Sequence, residues 1–328
     1  MKKMILILSE DNDQTTNDVI DWIIYFKHDF VRVNYSCECC VTDIRLNDDN
    51  IDILLTVQNR EVIFSSISSY WYRRGNINIK QPTLSFNNNL ILKDKIKLNL
   101  FHEIKSLSSY FHFILKQKDG LGSFFDNNIN KLENLFIAKE CGLLIPETLI
   151  TSNINKVFDF IKDENEVITK AISEAIMFFF AGEGAIQSYT NIVHKNDLES
   201  YDNIIFPSLF QRNINKKYEL RVFYLDGEFF SMAIFSQSNC KTKIDFRNYD
   251  ESKQNRCIPY ILPLDIKDKL DVFMRRKAYK TGSIDMLVDH NGNFIFLEVN
   301  PIGQFGMVSY PCNYYLEKKV AQYLCKMK

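Results

Sequence analysis

The chain has 328 residues and a formal net charge of −1, so no global basic field marks it as a nucleic-acid binder. An apolar fraction of 46% with 26 Phe excludes a disordered chain, and the length accommodates roughly two or three domains with ample cores. The apolar runs at 4–8 and 177–181 are too short for a signal-peptide core or a membrane span, so no membrane is expected as a partner.

MILIL at 4–8 predicts a first strand. A helix is expected over 16–26, where Val19, Ile20, Ile23 and Ile24 recur at helical spacing. FVRVN, DILLTV and EVIF read as short β-branched strands of a small α/β domain with a partly parallel sheet. No GxGxxG follows the first strand, so a dinucleotide site has no support. Of the eight cysteines only CECC at 37–40 is closely spaced, and no second Cys or His pair lies nearby to complete a zinc set. Reduced cytosolic thiols are therefore expected, and the chain is placed in the cytoplasm.

YWYRRG at 70–75 has two readings. It is either a surface for an acidic peptide or a phosphate, since guanidinium forks bind carboxylates and stack on rings, or a structural arginine pair at a domain seam. Over 90–116, Phe101, Ile104, Leu107, Phe111 and Ile114 trace one apolar stripe of a long helix, and QKDGLGS at 117–123 reads as the linker after it.

A helix over 130–141 ends at Gly142, suited to a left-handed cap, and Pro146 prevents its resumption. Lys131 stands at its start, where a cation opposes the helix dipole unless an anion is near. After a helix over 153–161, Lys170 interrupts the apolar strand EVITKAI. Either that lysine lies on a wet face or something negative meets it. The glycine- and aromatic-rich stretch at 173–190 suits a mobile flap or a plain surface loop. A strand over 204–211 leads into a hairpin over 219–235 turning at Asp226 and Gly227, with Glu219 and Arg221 on one face. TKIDFRNYD adds Lys243, Arg247 and Asn248, and a helix over 265–280 follows.

The stretch TGSIDMLVDHNGNFIFLEVNPIG at 281–303 reads as two strands about a turn centred on Asn291 and Gly292. Counting outward sets Asp285 opposite Glu298 and Ser283 opposite Asn300. One face then carries Ile284, Met286, Val288, Ile295, Leu297 and Val299 as a core layer; the other carries Asp285, Glu298 and Asn300. Two carboxylates roughly 5 Å apart across a ladder repel unless a cation or a shared proton joins them. Such oxygen ligands suit Mg2+; the alternative is a hairpin with a solvated polar face.

In order, these parts are a lysine fifteen residues before the proline of GLLIPET, a lysine in a strand, a strand ending in Gln, an E-x-R hairpin, an Asp and a closing E-x-N-P. That order resembles the ATP-grasp ligases. YWYRRG, KLENLFIAKECGLLIPET, ELRVF, DFRNYD and LEVNPIGQF are similar to the peptide maturases that make graspetides, the microviridin-type ester and amide crosslinks, particularly their grasp-with-spasm branch. The resemblance implies an α/β ATP-grasp fold with a small N-terminal α/β domain (1–122), a central lid (123–208) and a C-terminal antiparallel-sheet domain (209–328). It implies ATP and Mg2+ as cofactors. Lys131 and Lys170 match the phosphate lysines; Gln211, Arg212, Asn213 and Ile214 match the segment lining the adenine. Asp285, Glu298 and Asn300 match the metal ligands, and Arg221 and Arg247 match arginines that steady the transferred phosphoryl group or the substrate carboxylate. Glu219 holds the acidic position where many relatives carry aspartate. The implied reaction phosphorylates Glu or Asp side chains of a ribosomally made precursor peptide and joins them to Thr, Ser or Lys of the same peptide. The alternatives are another ATP-grasp ligase, glutamate-adding or glutathione-synthetase-like, and a non-catalytic peptide scaffold. Related ligases often pair, which leaves a homodimer open.

Overall fold

The computed structural model describes residues 3–47, 51–83, 90–161, 166–173, 177–180, 184–187, 190–199, 201, 203–237 and 255–326. The chain divides into two compact units, residues 1–128 with 304–309 and 315–328, and residues 129–303 with 310–314.

The first unit runs β1 (Met4–Ser9), α1 (Gln14–Tyr25), β2 (Phe30–Asn34), β3 (Glu38–Leu46), β4 (Ile51–Val57), β5 (Arg60–Ile63), β6 (Ile67–Tyr72), β7 (Asn78–Ile79), α2 (Leu90–Lys116) and β8 (Gly120–Leu121). One sheet is parallel, in the order β2-β1-β6-β8; a second, β5-β4-β3-β7, is an antiparallel meander extended by parallel β7. Ile5 to Leu8 are buried on both faces of β1, as the interior strand of a parallel sheet requires. Asp13 caps α1 by accepting the Thr16 N–H, and Val19 and Ile23 turn inward.

YWYRRG resolves toward the structural reading. Tyr70, Trp71 and Tyr72 belong to β6 and are buried, and the Arg73 side chain, 2% exposed, faces Asp13 at 3.1 Å. Arg74 lies half-exposed, 3.5 Å from Glu10. Residues 117–123 are not a bare linker, because Gly120 and Leu121 form β8 beside β6. A Cβ on Gly120 would meet the Tyr70 carbonyl oxygen at 2.3 Å, so only glycine permits that approach. Phe101 is also corrected, being 58% exposed. Among the described residues of α2, the buried ones are Ser108, Phe111, His112 and Leu115 near its end, while Lys93, Lys95 and Lys97 keep the start solvated.

The second unit runs α3 (Lys131–Glu140), β9 (Thr148–Asn153), α4 (Ile154–Ile161), β10 (Val167–Lys170), β11 (Met177–Phe180), β12 (Gly184–Gln187), β13 (Asn191–Ile192), α5 (Lys195–Leu198), β14 (Ile204–Arg212), β15 (Lys216–Leu225), β16 (Glu228–Phe235), β17 (Arg256–Tyr260), α6 (Leu264–Arg276), β18 (Thr281–Asp289) and β19 (Phe294–Asn300). Next come α7 (Gly306–Cys312) and α8 (Leu316–Leu324), the latter packed on α1 in the first unit. The unit holds an antiparallel sheet β13-β10-β14-β9, the hairpin β11-β12 and a five-stranded antiparallel sheet β17-β16-β15-β18-β19.

One face of the five-stranded sheet is apolar and packs against α3 and α6. Leu220, Val222 and Tyr224 of β15 and Ile284, Met286 and Val288 of β18 meet Leu135 and Ala138, and Ile266, Leu270, Phe273 and Met274. The α6 residues recur at i, i+4, i+7 and i+8, one stripe of a helix. That helix ends at Arg276 rather than 280, where Ala278 turns left-handed at φ 55°.

The expected core layer of β19 needs correction. The turn after β18 is one residue longer than a two-residue turn, so Met286 faces Phe296 and Val288 faces Phe294; a bulge at Leu297 then absorbs the offset. Phe294 and Phe296, not Ile295 and Leu297, join Val299 on the core face. Because the two offsets cancel, Asp285 still faces Glu298 and Ser283 still faces Asn300.

Candidate active site

The opposite face of the five-stranded sheet is polar. Strand pairing sets Arg221 of β15 across from Asp285 of β18, and Asp285 across from Glu298 of β19, so the three side chains form one row. Arg221 Nη1 donates to both Asp285 oxygens at 2.5 Å. Lys131, first residue of α3, reaches the far end of the row and lies 3.4 Å from Glu298 Oε2. The anion its place in the helix called for is thus Glu298, and the two neighbouring carboxylates are tolerated because a cation meets each.

One row along, Ser283 is buried opposite Asn300, whose Oδ1 accepts the Ile302 N–H at 3.0 Å. A Cβ on Gly303 would lie 2.5 Å from Ser283 Oγ, so glycine lets the chain after Asn300 fold back against β18. One row the other way lies Glu219, bonded at one oxygen by Lys216 at 2.9 Å and by Ser236 at 2.6 Å. Burial raises the Glu219 carboxyl above its usual range, opposed by the Lys216 charge and by the bonds from Ser236 and Lys216; the charge of Asp285 raises it further.

The residues matched to nucleotide binding lie mostly in the other large sheet. Gln211 pairs with Ile168, and Leu209 with Lys170, so Lys170 and Gln211 share a face, with Gln211 buried and donating to Thr148 Oγ1 at 2.9 Å. Arg212 points to the opposite face, where it bonds Glu147 at 3.2 Å and stacks on Phe160 at 4.5 Å. Asn213 bonds the Glu166 carboxylate at 2.8 Å, and the backbone N–H groups of 212 and 213 go to the carbonyls of Glu147 and Glu166. Those two side chains brace the segment, while Gln211 and half-buried Ile214 remain candidates for contact with a base. Lys243, Arg247 and Asn248 lie outside the described residues, as do 181–183 at the tip of the expected flap; its arms are the hairpin β11-β12.

The donors Asp285, Glu298 and Asn300 are all oxygens, which fits a hard ion such as Mg2+. Among the described residues no cluster of three or more His, Cys, Asp and Glu side chains forms a self-sufficient metal site. Two carboxylates and one amide suit an ion that takes the rest of its shell from water and phosphate. A phosphate chain would also give Lys131 and Arg221 an anion to bind once a metal took over the carboxylates.

No protein-family model and no curated protein sequence matches the chain. Among solved structures, one similar to it is the RiPP-associated ATP-grasp ligase of Chryseobacterium gregarium, in complex with ADP and a leader and core peptide. The identity is 24%, 99% of this chain and 97% of that chain are covered, and the TM-score is 0.78. The macrocyclase MdnC of Microcystis aeruginosa, bound with precursor peptide MdnA, is 26% identical over 98% of this chain and 99% of that one, with a TM-score of 0.74. The chain has the fold of the ATP-grasp ligases. Its plan is that of the RiPP macrocyclases, as the sequence resemblance implied. The ATP-grasp ligase PsnB, solved with a minimal precursor, Mg and ADP, shares the fold at 16% identity over 98% of this chain and 97% of that one, with a TM-score of 0.69. Sequence reading passed over Lys216 and Ser236. The first stands three residues before Glu219, on the opposite face of a regular strand, and only a bulge at Lys217 returns it. Among the described residues no helix is long and apolar enough to cross a membrane.

Proposed function

We infer that this protein is an ATP-grasp ligase that activates Glu or Asp side chains of a ribosomal precursor peptide by phosphorylation and joins them to Thr, Ser or Lys side chains of the same peptide. The observation that carries the reading is the row Lys131, Glu298, Asp285 and Arg221 on one sheet face, in a chain that matches MdnC over nearly its full length. A carboxylate is a poor electrophile until it becomes an acyl phosphate, and phosphoryl transfer depends mainly on positioning and charge compensation. Lys131 and Lys170 would hold the ATP phosphates, and Asp285, Glu298 and Asn300 would hold Mg2+. Gln211 and Ile214 would line the base, with Arg212 and Asn213 bracing them. Bound Mg2+ supplies charge neutralisation at the phosphates and a template for their alignment. Arg221, with Arg247, would orient the acceptor carboxylate, and the β11-β12 hairpin would close over the intermediate to exclude water.

The subdivision of the second unit into a lid ending at 208 and a catalytic part from 209 belongs to this reading. So do the cytoplasmic setting, the absence of a nucleic-acid partner and a homodimer. The test is mass spectrometry with ATP, Mg2+ and the peptide encoded by an open reading frame beside the gene, chosen for repeated Thr and Glu or Asp. Each crosslink removes the mass of one water. An unchanged mass refutes the reading, and a gain in mass points instead to a ligase that adds free glutamate.

A further inference from the structure

Beside the row that serves phosphoryl transfer lies an ionic cluster without a task in that step. The Lys216 and Glu219 side chains are only 5% and 8% exposed and pair at 2.9 Å, and the Ser236 hydroxyl donates to the same Glu219 oxygen, Oε1. A buried ion pair is seldom the most stable filling for a sheet, since apolar side chains of similar volume do as well or better. Its geometry points elsewhere. Both donors converge on Oε1, and no described residue donates to Oε2. Glu219 stands two residues from Arg221 on the same face, roughly 7 Å along the strand. The groups that face it are Lys216 from the start of β15, Ser236 beyond the end of β16 and the charge of Asp285 on β18, with apolar Ile234 and Leu287 as its cross-strand neighbours. Burial makes this carboxylate more basic than usual, while Lys216 and Ser236 oppose its protonation and hold one of its oxygens in place.

We propose that Glu219 accepts the proton of the attacking hydroxyl or amine, and that Lys216 and Ser236 are positioning residues that hold its carboxylate for that step. The inference rests on the ligase reading above and deepens it. In the step, a lone pair of the nucleophile forms a bond to the acyl carbon. The bond from that carbon to the phosphate oxygen breaks, its electron pair leaving with inorganic phosphate. The proton of the nucleophile passes to Oε2 and from there to solvent.

Hydroxylamine separates this role from phosphorylation, because it attacks acyl phosphates without help from a base and leaves a hydroxamate. The full-length enzyme is incubated with ATP, Mg2+ and the peptide encoded beside its gene, with and without hydroxylamine. Glu219→Gln and Lys216→Met should slow crosslinking about 100-fold and Ser236→Ala about 10-fold, while hydroxamate yield falls far less. The neutral double variant Lys216→Met with Glu219→Gln should crosslink no more slowly than Glu219→Gln alone, since positioning has no further effect once the base is gone. Thermal melting checks that Ser236→Ala and the double variant fold. The proposal is overturned if hydroxamate and crosslinks fall together in folded Ser236→Ala, or if Lys216→Met crosslinks at the wild-type rate. A wild-type enzyme that yields neither ADP nor hydroxamate refutes the ligase reading itself.

Discussion

His112 shows how a single side chain in the first unit acquires a pH dependence. It is buried, stacks on Phe124 at 4.1 Å and shares a hydrogen bond of 2.8 Å with the Asn76 side-chain oxygen, which also accepts from Ser108. Burial pushes its pKa down to about 4 from an ordinary 6.5. Between those values the unfolded chain binds a proton that the folded chain does not. Stability is therefore full above about pH 6.5 and falls by roughly 1.4 kcal/mol per unit as pH drops toward 4. Urea unfolding of wild type and His112→Gln across this range should show a steeper acid decline in wild type. At this scale the sequence was legible where a residue type is costly without a partner. Lys131 demanded an anion and has Glu298; Asp285 and Glu298 demanded cations. It was opaque at Lys216, whose placement depends on a bulge, and at Arg212, whose partners Glu147 and Phe160 are far away in the chain.

Elements with strong periodicity were readable almost to their ends. The helix α2 occupies the expected residues, α3 has Asn130 as its cap, and the β15-β16 hairpin turns at Asp226 and Gly227, both at positive φ. Short pieces were not. A two-residue strand such as β8 has no period of its own and exists because β6 offers an edge to a glycine. Gly120→Ala should accordingly destabilise the first unit by about 1–3 kcal/mol through overlap with Tyr70, a loss measurable by chemical denaturation. The β19 core layer was misjudged for a related reason: neither a bulge nor the length of a turn shows in apolar alternation.

At the scale of the whole molecule, every described residue of the candidate site belongs to the second unit, while the parallel sheet and its buried YWYR segment belong to the first. Hydrogen exchange measured with and without Mg-ATP should show new protection concentrated within 129–303, above all in β10, β14, β18 and β19. Protection confined to residues 1–128 would contradict that placement. The order of motifs along the chain disclosed the ligase plan because it is set by which strands carry charge. The division into two units was less readable, since the segments 304–309 and 315–328 return to the first unit after the catalytic sheet is complete.

The extra residue at Leu297 also has a bearing on how this hairpin tolerates change in length. It lies between the loop and the acidic pair, so the two strands can slip by one position near the tip without the ends that carry Asp285 and Glu298 losing step. Insertion or deletion at 290–292 is thereby uncoupled from the chemistry, provided the kink is made or lost in concert. The loop can drift in length while the pair of acids stays in phase.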